Sequence, residues 1–375
     1  MEFKRLGDIA TYINGYAFKP EQWSNNGKPI IRIQNLNNRD AVYNYFDGDI
    51  NEKYVIRKGD ILISWSASIG VYIWDSEEAL LNQHIFKVNF DKDEINKIYF
   101  KYIVEIALNR ATKYMHGSTM KHITKKYFDD ILIPIPSLEI QNKIAEVLDK
   151  AQGLIDKRKE QIDALDELVK SKFIEMFGDT FLNTKGFEMK KIKDITQIVK
   201  GVTYKPEQVS DKGTIVLRSS NIQNSKFDLK DIVRINKKID EKFLVKPNDI
   251  LMCNRNGSER LVGKVAKIPM SNEEMTFGTF MTIIRSPYFN YLFSFFQTEG
   301  FRRQIKMQTS VAINQISIPL LESVNVPLPP IELQNQFTEF VKQVDKLKSQ
   351  MEASLKESED NFNSLMQKAF KGELF

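Results

Sequence analysis

The chain contains one module twice, and that duplication limits what it can fold into more than any other feature. Residues 8–35, DIATYINGYAFKPEQWSNNGKPIIRIQN, align without a gap to residues 194–221, DITQIVKGVTYKPEQVSDKGTIVLRSSN, at an offset of 186. Asp8, Gly15, the run Lys19-Pro20-Glu21-Gln22, Gly27, Arg32 and Asn35 match Asp194, Gly201, Lys205-Pro206-Glu207-Gln208, Gly213, Arg218 and Asn221. Downstream, RKGDILI (57–63) meets KPNDILM (246–252) and YFKY (99–102) meets YFNY (288–291), both at an offset of 189. IPIPSLEIQN (133–142) then meets VPLPPIELQN (326–335) at 193. The anchors keep their order while the offset drifts, so two copies of one scaffold differ by small loop insertions.

Within each copy, PIIRI and TIVLR, then DILIS and DILMC, are apolar runs of strand length with Gly or Asn before them. IYFKYIVEIAL (98–108) and YFNYLFSFFQ (288–297) suit buried helices. Each copy closes on a strand ending in Pro-x-Pro, which cannot continue a central ladder. Short strands mixed with helices, without regular βαβ alternation, predict an α+β fold. After each proline phrase the spacing predicts a helix of about 40 residues, with prolines at its start and Glu139 or Glu332 in the first turn, where an acid suits the helix dipole. Leu148, Ile155, Ile162, Val169 and Met176 recur every seven residues in the first helix, beside Ile144, Ala151 and Leu165. Phe337, Val344, Met351 and Leu365 keep the same period in the second, beside Val341, Leu355 and Phe362, with Ser358 interrupting. Sustained heptads predict a coiled coil, and at ~1.5 Å per residue each helix would be ~60 Å long. Neither stripe can be buried alone, so the two helices are expected to pair, with the modules at opposite ends.

Charge divides along the same lines. Residues 183–329 carry 23 Lys+Arg against 14 Asp+Glu, whereas 1–136 carry 18 against 17. The segments 137–182 and 330–375 are acidic, 7 against 10 and 6 against 8. The modules, chiefly the second, hold the positive charge a polyanion needs, and the helices suit protein partners. No run approaches 18 apolar residues and MEFKRLGDIA lacks an apolar signal core, so a cytoplasmic protein with no membrane partner is expected. A single cysteine, Cys253, rules out an internal disulfide, and with three histidines a zinc or His-based metal centre is not expected.

Catalytic signatures are missing. The sequence has no G-x-x-x-x-G-K-[ST] phosphate loop, no G-x-G-x-x-G, no H-E-x-x-H and no G-x-S-x-G. It also lacks the Asn/Asp-Pro-Pro-aromatic stretch of amino-methyltransferases. DELVK (166–170) does not have the spacing of a nuclease motif and reads as a solvated helix face.

Binding chemistry is better represented. Arg32 and Arg218 end matched strands, followed by Gln34-Asn35 and by Ser219 and Asn221. Arg with Asn or Gln can read guanine and adenine edges in the major groove; alternatively each Arg pairs with a local carboxylate and each Asn caps a turn. Trp65-Ser66, in SWSAS, and Arg255-Asn256, in NRNGS, occupy matching loops but differ sharply, which suggests two targets; Trp65 could stack on a base or belong to the core. HGSTMKHITKK (116–126) and QTSVAINQISIP (308–319) also align. Ser118, Thr119, Lys121 and Lys125 in the one, Thr309 and Asn314 in the other, suit phosphate contacts or a solvated basic turn. FRRQIK (301–306) adds three positive charges. Lys19-Pro20-Glu21-Gln22 and its copy read as a structural turn.

Two such modules, each closed by Pro-x-Pro, an acid, Gln-Asn and a long heptad helix, closely resemble the specificity subunit of type I restriction–modification systems. The resemblance rests on IPIPSLEIQNKIAEVLDK, VPLPPIELQNQF, the two DIL strands, the starts KRLGDIA and KIKDITQ, and the endings FIEMFGD and LMQKAFKGELF, and it covers essentially the whole chain. Two departures stand out: Gln-Asn replaces the Glu-Gln of many members, and TFGTF (276–280) has lost the Asn-Gln-His of LLNQHIF (80–86). The resemblance implies two target recognition domains, 1–136 and 183–329, separated by two long antiparallel coiled-coil helices, 137–182 and 330–375, related by a pseudo-two-fold internal repeat. Each domain would read one half of a bipartite site in double-stranded DNA. The helices, through Leu148, Ile155, Ile162, Val169, Phe337, Val344, Met351 and Leu365, would set the spacing and dock two methyltransferase subunits. ATP-dependent restriction subunits would join them. The chain itself would bind no cofactor and catalyse nothing; S-adenosylmethionine, ATP and Mg would belong to the partners. A recognition subunit of another methyltransferase-based defence system and a coiled-coil scaffold for protein partners are the competing readings. Gln141 lies 32 residues before Phe173 and Gln334 lies 36 before Phe370. That difference of about one turn, ~6 Å, would shift the half-site gap by about two base-pair rises of ~3.4 Å.

Overall fold

The computed structural model describes residues 2–113, 123–307 and 314–375. They group into two compact units, Met1–Gln161 with Met351–Phe375, and Ile162–Gln350. The fold is α+β, and each unit holds one module together with a stretch of each of two long helices, Leu138–Phe177 and Ile331–Lys371.

In the first unit, Thr11–Asn14, Ile85–Asn89, Ile61–Ser64 and Gly70–Ile73 form, in that order, an antiparallel four-stranded sheet. A second sheet runs Asn44–Phe46, Lys28–Ile31, Ala79–Leu81 and Val55–Ile56, with Lys28–Ile31 parallel to Ala79–Leu81. The second unit repeats both. Gln197–Lys200, Met281–Arg285, Ile250–Cys253 and Val265–Lys267 form one sheet, and Val209–Ser210, Arg234–Ile235, Thr214–Leu217 and Met275–Phe277 the other. The central strands Ile61–Ser64 and Ile250–Cys253 are buried along their whole length, which is why they read as continuous apolar runs.

The repeated anchors close backbone geometry. Gly15 and Gly201 lie so near the next strand that a Cβ would stand 2.0 Å from the carbonyl oxygens of Asn82 and Gly278. In the Lys-Pro-Glu-Gln turns, Gln22 and Gln208 accept from the backbone N–H of Lys19 and Lys205, each at 2.9 Å. Among the described residues the proline strands Leu132–Ile135 and Asn325–Leu328 pair only with Glu2–Arg5 and Glu188–Lys191, so Pro134 and Pro327 interrupt no central ladder there. The Tyr99 hydroxyl donates to the Pro134 carbonyl at 2.8 Å, and that of Tyr291 to the Pro327 carbonyl. Gln141 and Gln334, both buried, fold back at each helix start and donate to the carbonyls of Pro136 and Pro329, at 2.9 and 2.8 Å. The Gln of the repeated phrase is therefore a brace at the junction of strand and helix.

Within each unit the two long helices run antiparallel. In the first, Ile144, Ala145 and Leu148 share a core with Met366 and Ala369, and Lys159 pairs with Glu359 at 2.9 Å. In the second, the Phe173 and Phe177 rings lie 5.5 and 5.3 Å from Phe337, and Lys348 pairs with Asp166. Lys348 is buried and stands seven residues after Val341, a core position held by a charge. Leu148, Ile155, Ile162, Phe337 and Val344 are buried and Val169, Met351 and Leu365 half-buried. This corrects the reading of these positions as a docking face: they hold the chain's own helices. The large apolar side chains that the helices turn outward are Leu154, Leu168, Ile174, Leu347 and, at the start of the second helix, Ile331. Among the described residues no helix is long and apolar enough to cross a membrane.

Candidate nucleic-acid interface

In both modules the central strand ends in a clamped residue. The Trp65 N–H donates to the His84 carbonyl at 3.3 Å, and the Trp65 carbonyl accepts from Ile123 at 3.1 Å. The Asn254 N–H donates to the Phe280 carbonyl at 3.0 Å, and its carbonyl accepts from Ile316 at 2.8 Å. Two identical pairs of backbone bonds thus fix the chain just before Ser66 in one copy and Arg255 in the other.

In the second module this clamp borders a cleft of about 1130 Å³. Arg218, Ser219, Arg255, Asn256 and Asn314, five residues singled out in the sequence, all line it. The Arg255 guanidinium lies 5.1 Å from the centre of the Phe280 ring, is exposed, and makes no ion pair among the described residues. Arg218 differs: its Nη2 donates to Asp231 at 2.8 Å, and its buried Nε lacks a partner among the described residues. Asn256 braces the loop, donating to the Ser219 hydroxyl at 3.3 Å and accepting from the Ser258 N–H at 3.0 Å. Its N–H donates to the carbonyl of the exposed Asn314 at 3.3 Å.

The first module arranges matched residues differently. The Arg32 guanidinium lies 5.7 Å from the Trp23 ring, and Gln34 is exposed, with its Nε2 3.3 Å from the Val42 carbonyl. Trp65 stacks on Phe86 at 5.7 Å between ring centres and donates to Asn14 at 3.2 Å, so of its two readings the structure realises the packed one. Ser66 is half-exposed beside it. Lys125 pairs with Asp129 at 2.5 Å and lies over the Tyr12 and Phe86 rings at 5.4 and 5.8 Å. Ser118, Thr119, Lys121 and Thr309 lie outside the described residues.

Asn35 and Asn221 require a correction. Both are fully buried. Asn35 accepts from the Arg32 N–H at 3.1 Å and donates to the Ala41 and Val42 carbonyls. Asn221 accepts from the Arg218 N–H at 2.8 Å and donates to the carbonyls of Asp228 and Asp231, each at 2.9 Å. Their polar atoms are spent on the turn after the strand, so neither meets a ligand. A signal is present in the sequence: both copies carry Asn here, as they would at a scaffold position, whereas 66 and 255 differ.

Burial shifts three further polar groups. It pushes the Cys253 thiol up and the Lys264 ammonium, which donates to the Ile222 carbonyl at 2.9 Å, down. The Lys267 ammonium, 5.1 Å from the Phe293 ring, is also held below the usual lysine range by burial.

Two copies of one α+β scaffold, each with a clamped loop base and different polar residues on it, define a protein of duplicated recognition-type modules. The family model for the type I restriction modification DNA specificity domain matches residues 1–166 and 184–358, and the chain belongs to that family. Among its relatives, the type I restriction enzyme EcoBI specificity subunit of Escherichia coli is 25% identical over 412 aligned residues, covering 98% of this chain and 85% of that protein. The MjaVIII specificity subunit of Methanocaldococcus jannaschii is 23% identical over 372, covering 92% and 86%. The fold is shared with a chain from a structural study of complex assembly and conformational transition of the type I R-M system, at a TM-score of 0.58, 15% identity and coverage of 100% and 98%. It is also shared with the type I restriction-modification S subunit from M. genitalium, at 0.50, 17%, and 98% and 96%.

Proposed function

We propose that this chain is the DNA specificity subunit of a type I restriction–modification complex, with each module reading one half of a bipartite duplex site. The observation that carries the reading is the pairing of an identical clamp with different residues beyond it, in a chain whose two halves both match the DNA specificity domain. The charge excess of residues 183–329 supports it, since phosphate neutralisation supplies much of the affinity of such proteins. On this reading catalysis, S-adenosylmethionine, ATP and Mg belong to partner subunits, and the chain binds none of these itself. Leu154, Leu168, Ile174 and Leu347, exposed on the long helices, are the positions at which methyltransferase subunits would gain apolar contact. The helices set the half-site gap, and removing four residues from one of them would change it.

The test is binding of the purified chain, with its methyltransferase subunits, to duplex DNA at rising salt. Affinity falling steeply, with a log–log slope equivalent to several phosphate contacts, supports the reading. Salt-independent binding, or none, would leave the chain a scaffold for protein partners.

A further inference from the structure

We infer that the residue after the clamp, position 66 in the first module and 255 in the second, is the base-reading position, and that Arg255 reads a guanine in the second module's half-site. This rests on the DNA-specificity reading and goes beyond it to residue and base.

The clamp brings the backbone to the same state in both copies, because residues 65 and 254 are each held by one donated and one accepted backbone bond to equivalent positions, His84 and Ile123 in one and Phe280 and Ile316 in the other. The next residue can vary without cost to the fold. The two copies vary there: Ser66 is short, while Arg255 reaches out over Phe280. A guanidinium over an aromatic face loses little freedom when it binds, since the ring already restricts it. Of the two arginines that line the cleft, Arg255 is the one without an ion pair among the described residues. The other arginine is occupied by Asp231, and Asn256 spends both ends of its amide on the loop, so it is a positioning residue for Arg255 and not an adenine reader. Arginine has only donors. In the major groove, the edge that offers two acceptors side by side is that of guanine, through O6 and N7. Ser66, with one hydroxyl, cannot make that paired contact, so the two half-sites differ at the corresponding base.

The experiment maps methylated sites made by the assembled methyltransferase complex carrying wild-type chain, Arg255→Ala or Arg255→Lys, with melting temperatures as the folding control. The expected result for Arg255→Ala is loss of preference for guanine at one position of one half-site, by roughly tenfold to a hundredfold, with the other half-site unchanged. Arg255→Lys should retain part of the preference, since lysine also reaches guanine acceptors. Unchanged selectivity in Arg255→Ala, or weakening that is uniform over all sequences, would overturn the assignment while leaving the DNA-specificity reading intact. Absence of any sequence preference in the wild-type complex would overturn both.

Discussion

The two modules agree at the repeated side chains that close the backbone and part company where side chains pair charges. Asn35 and Asn221, Tyr99 and Tyr291, Gln141 and Gln334 make the same bonds in both copies. The carboxylates of the matched DIL strands keep one bond in common, accepting from the Arg57 and Lys246 N–H at 2.8 and 2.7 Å, and differ in the cation they pair with. Asp249 is 3% exposed at its side chain and is gripped by Arg285, whose Nε and Nη2 donate at 2.8 and 2.9 Å. Asp60 meets Lys87 from a different register at 3.1 Å, with both side chains about a fifth exposed at 23% and 18%. Opposite the same strand position, Ile61 faces Ile73 in one sheet and Ile250 faces Lys267 in the other. A duplicated scaffold keeps its hydrogen-bonded frame because an unpaired buried amide or carbonyl is costly, whereas ion pairs can be rebuilt from whichever cation is near.

The asymmetry between the copies can be broken at graded strength. The largest difference is expected from Asp249→Ala, which removes a buried carboxylate held by two Arg285 bonds and should cost the second unit about 4 kcal/mol, against about 2 for Asp60→Ala, whose carboxylate is partly exposed and holds its lysine by one contact. Calorimetric unfolding of the full chain should show the asymmetry, and equal losses would refute it. Next, Asn35→Ala and Asn221→Ala should each cost about 2–3 kcal/mol, since three backbone groups lose their partner, and the losses should match; a change in methylated sequence without loss of stability would return these residues to the interface. The smallest effect is a gain. Lys267→Ile, which installs the first copy's residue, should stabilise the second unit by roughly 0.5–1 kcal/mol. Because burial lowers the Lys267 pKa, the wild-type penalty exists while the ammonium is charged and fades as pH rises through its folded pKa. The gap between the two melting curves should therefore narrow in alkali, and a gap that widens would mean Lys267 is a stabilising cation.

Much of this architecture is legible in the sequence, and the failures have a common cause. Period and repetition reveal the strands Ile61–Ser64 and Ile250–Cys253, the long helices and the proline junctions, because burial and backbone closure leave marks in both copies. Five of the second module's candidate residues also converge on one cleft. Asn35 and Asn221 mislead because an Asn beside an Arg has the composition of a base reader, and only the backbone shows that its amide faces inward. Lys348 escapes notice because a charge in a heptad stripe looks like a surface residue until its partner, Asp166, is seen across the helix pair. The stripe positions point equally to a partner because periodicity shows that a face is buried and not by what.

On the proposed reading, one clamp, used twice, presents different readers to two half-sites. Selection of bound sequences from random duplexes by the assembled complex tests this most directly. The expected result is two different half-sites at a fixed gap, one containing the guanine lost with Arg255→Ala. A single contiguous site, two identical half-sites, or no enrichment would contradict it.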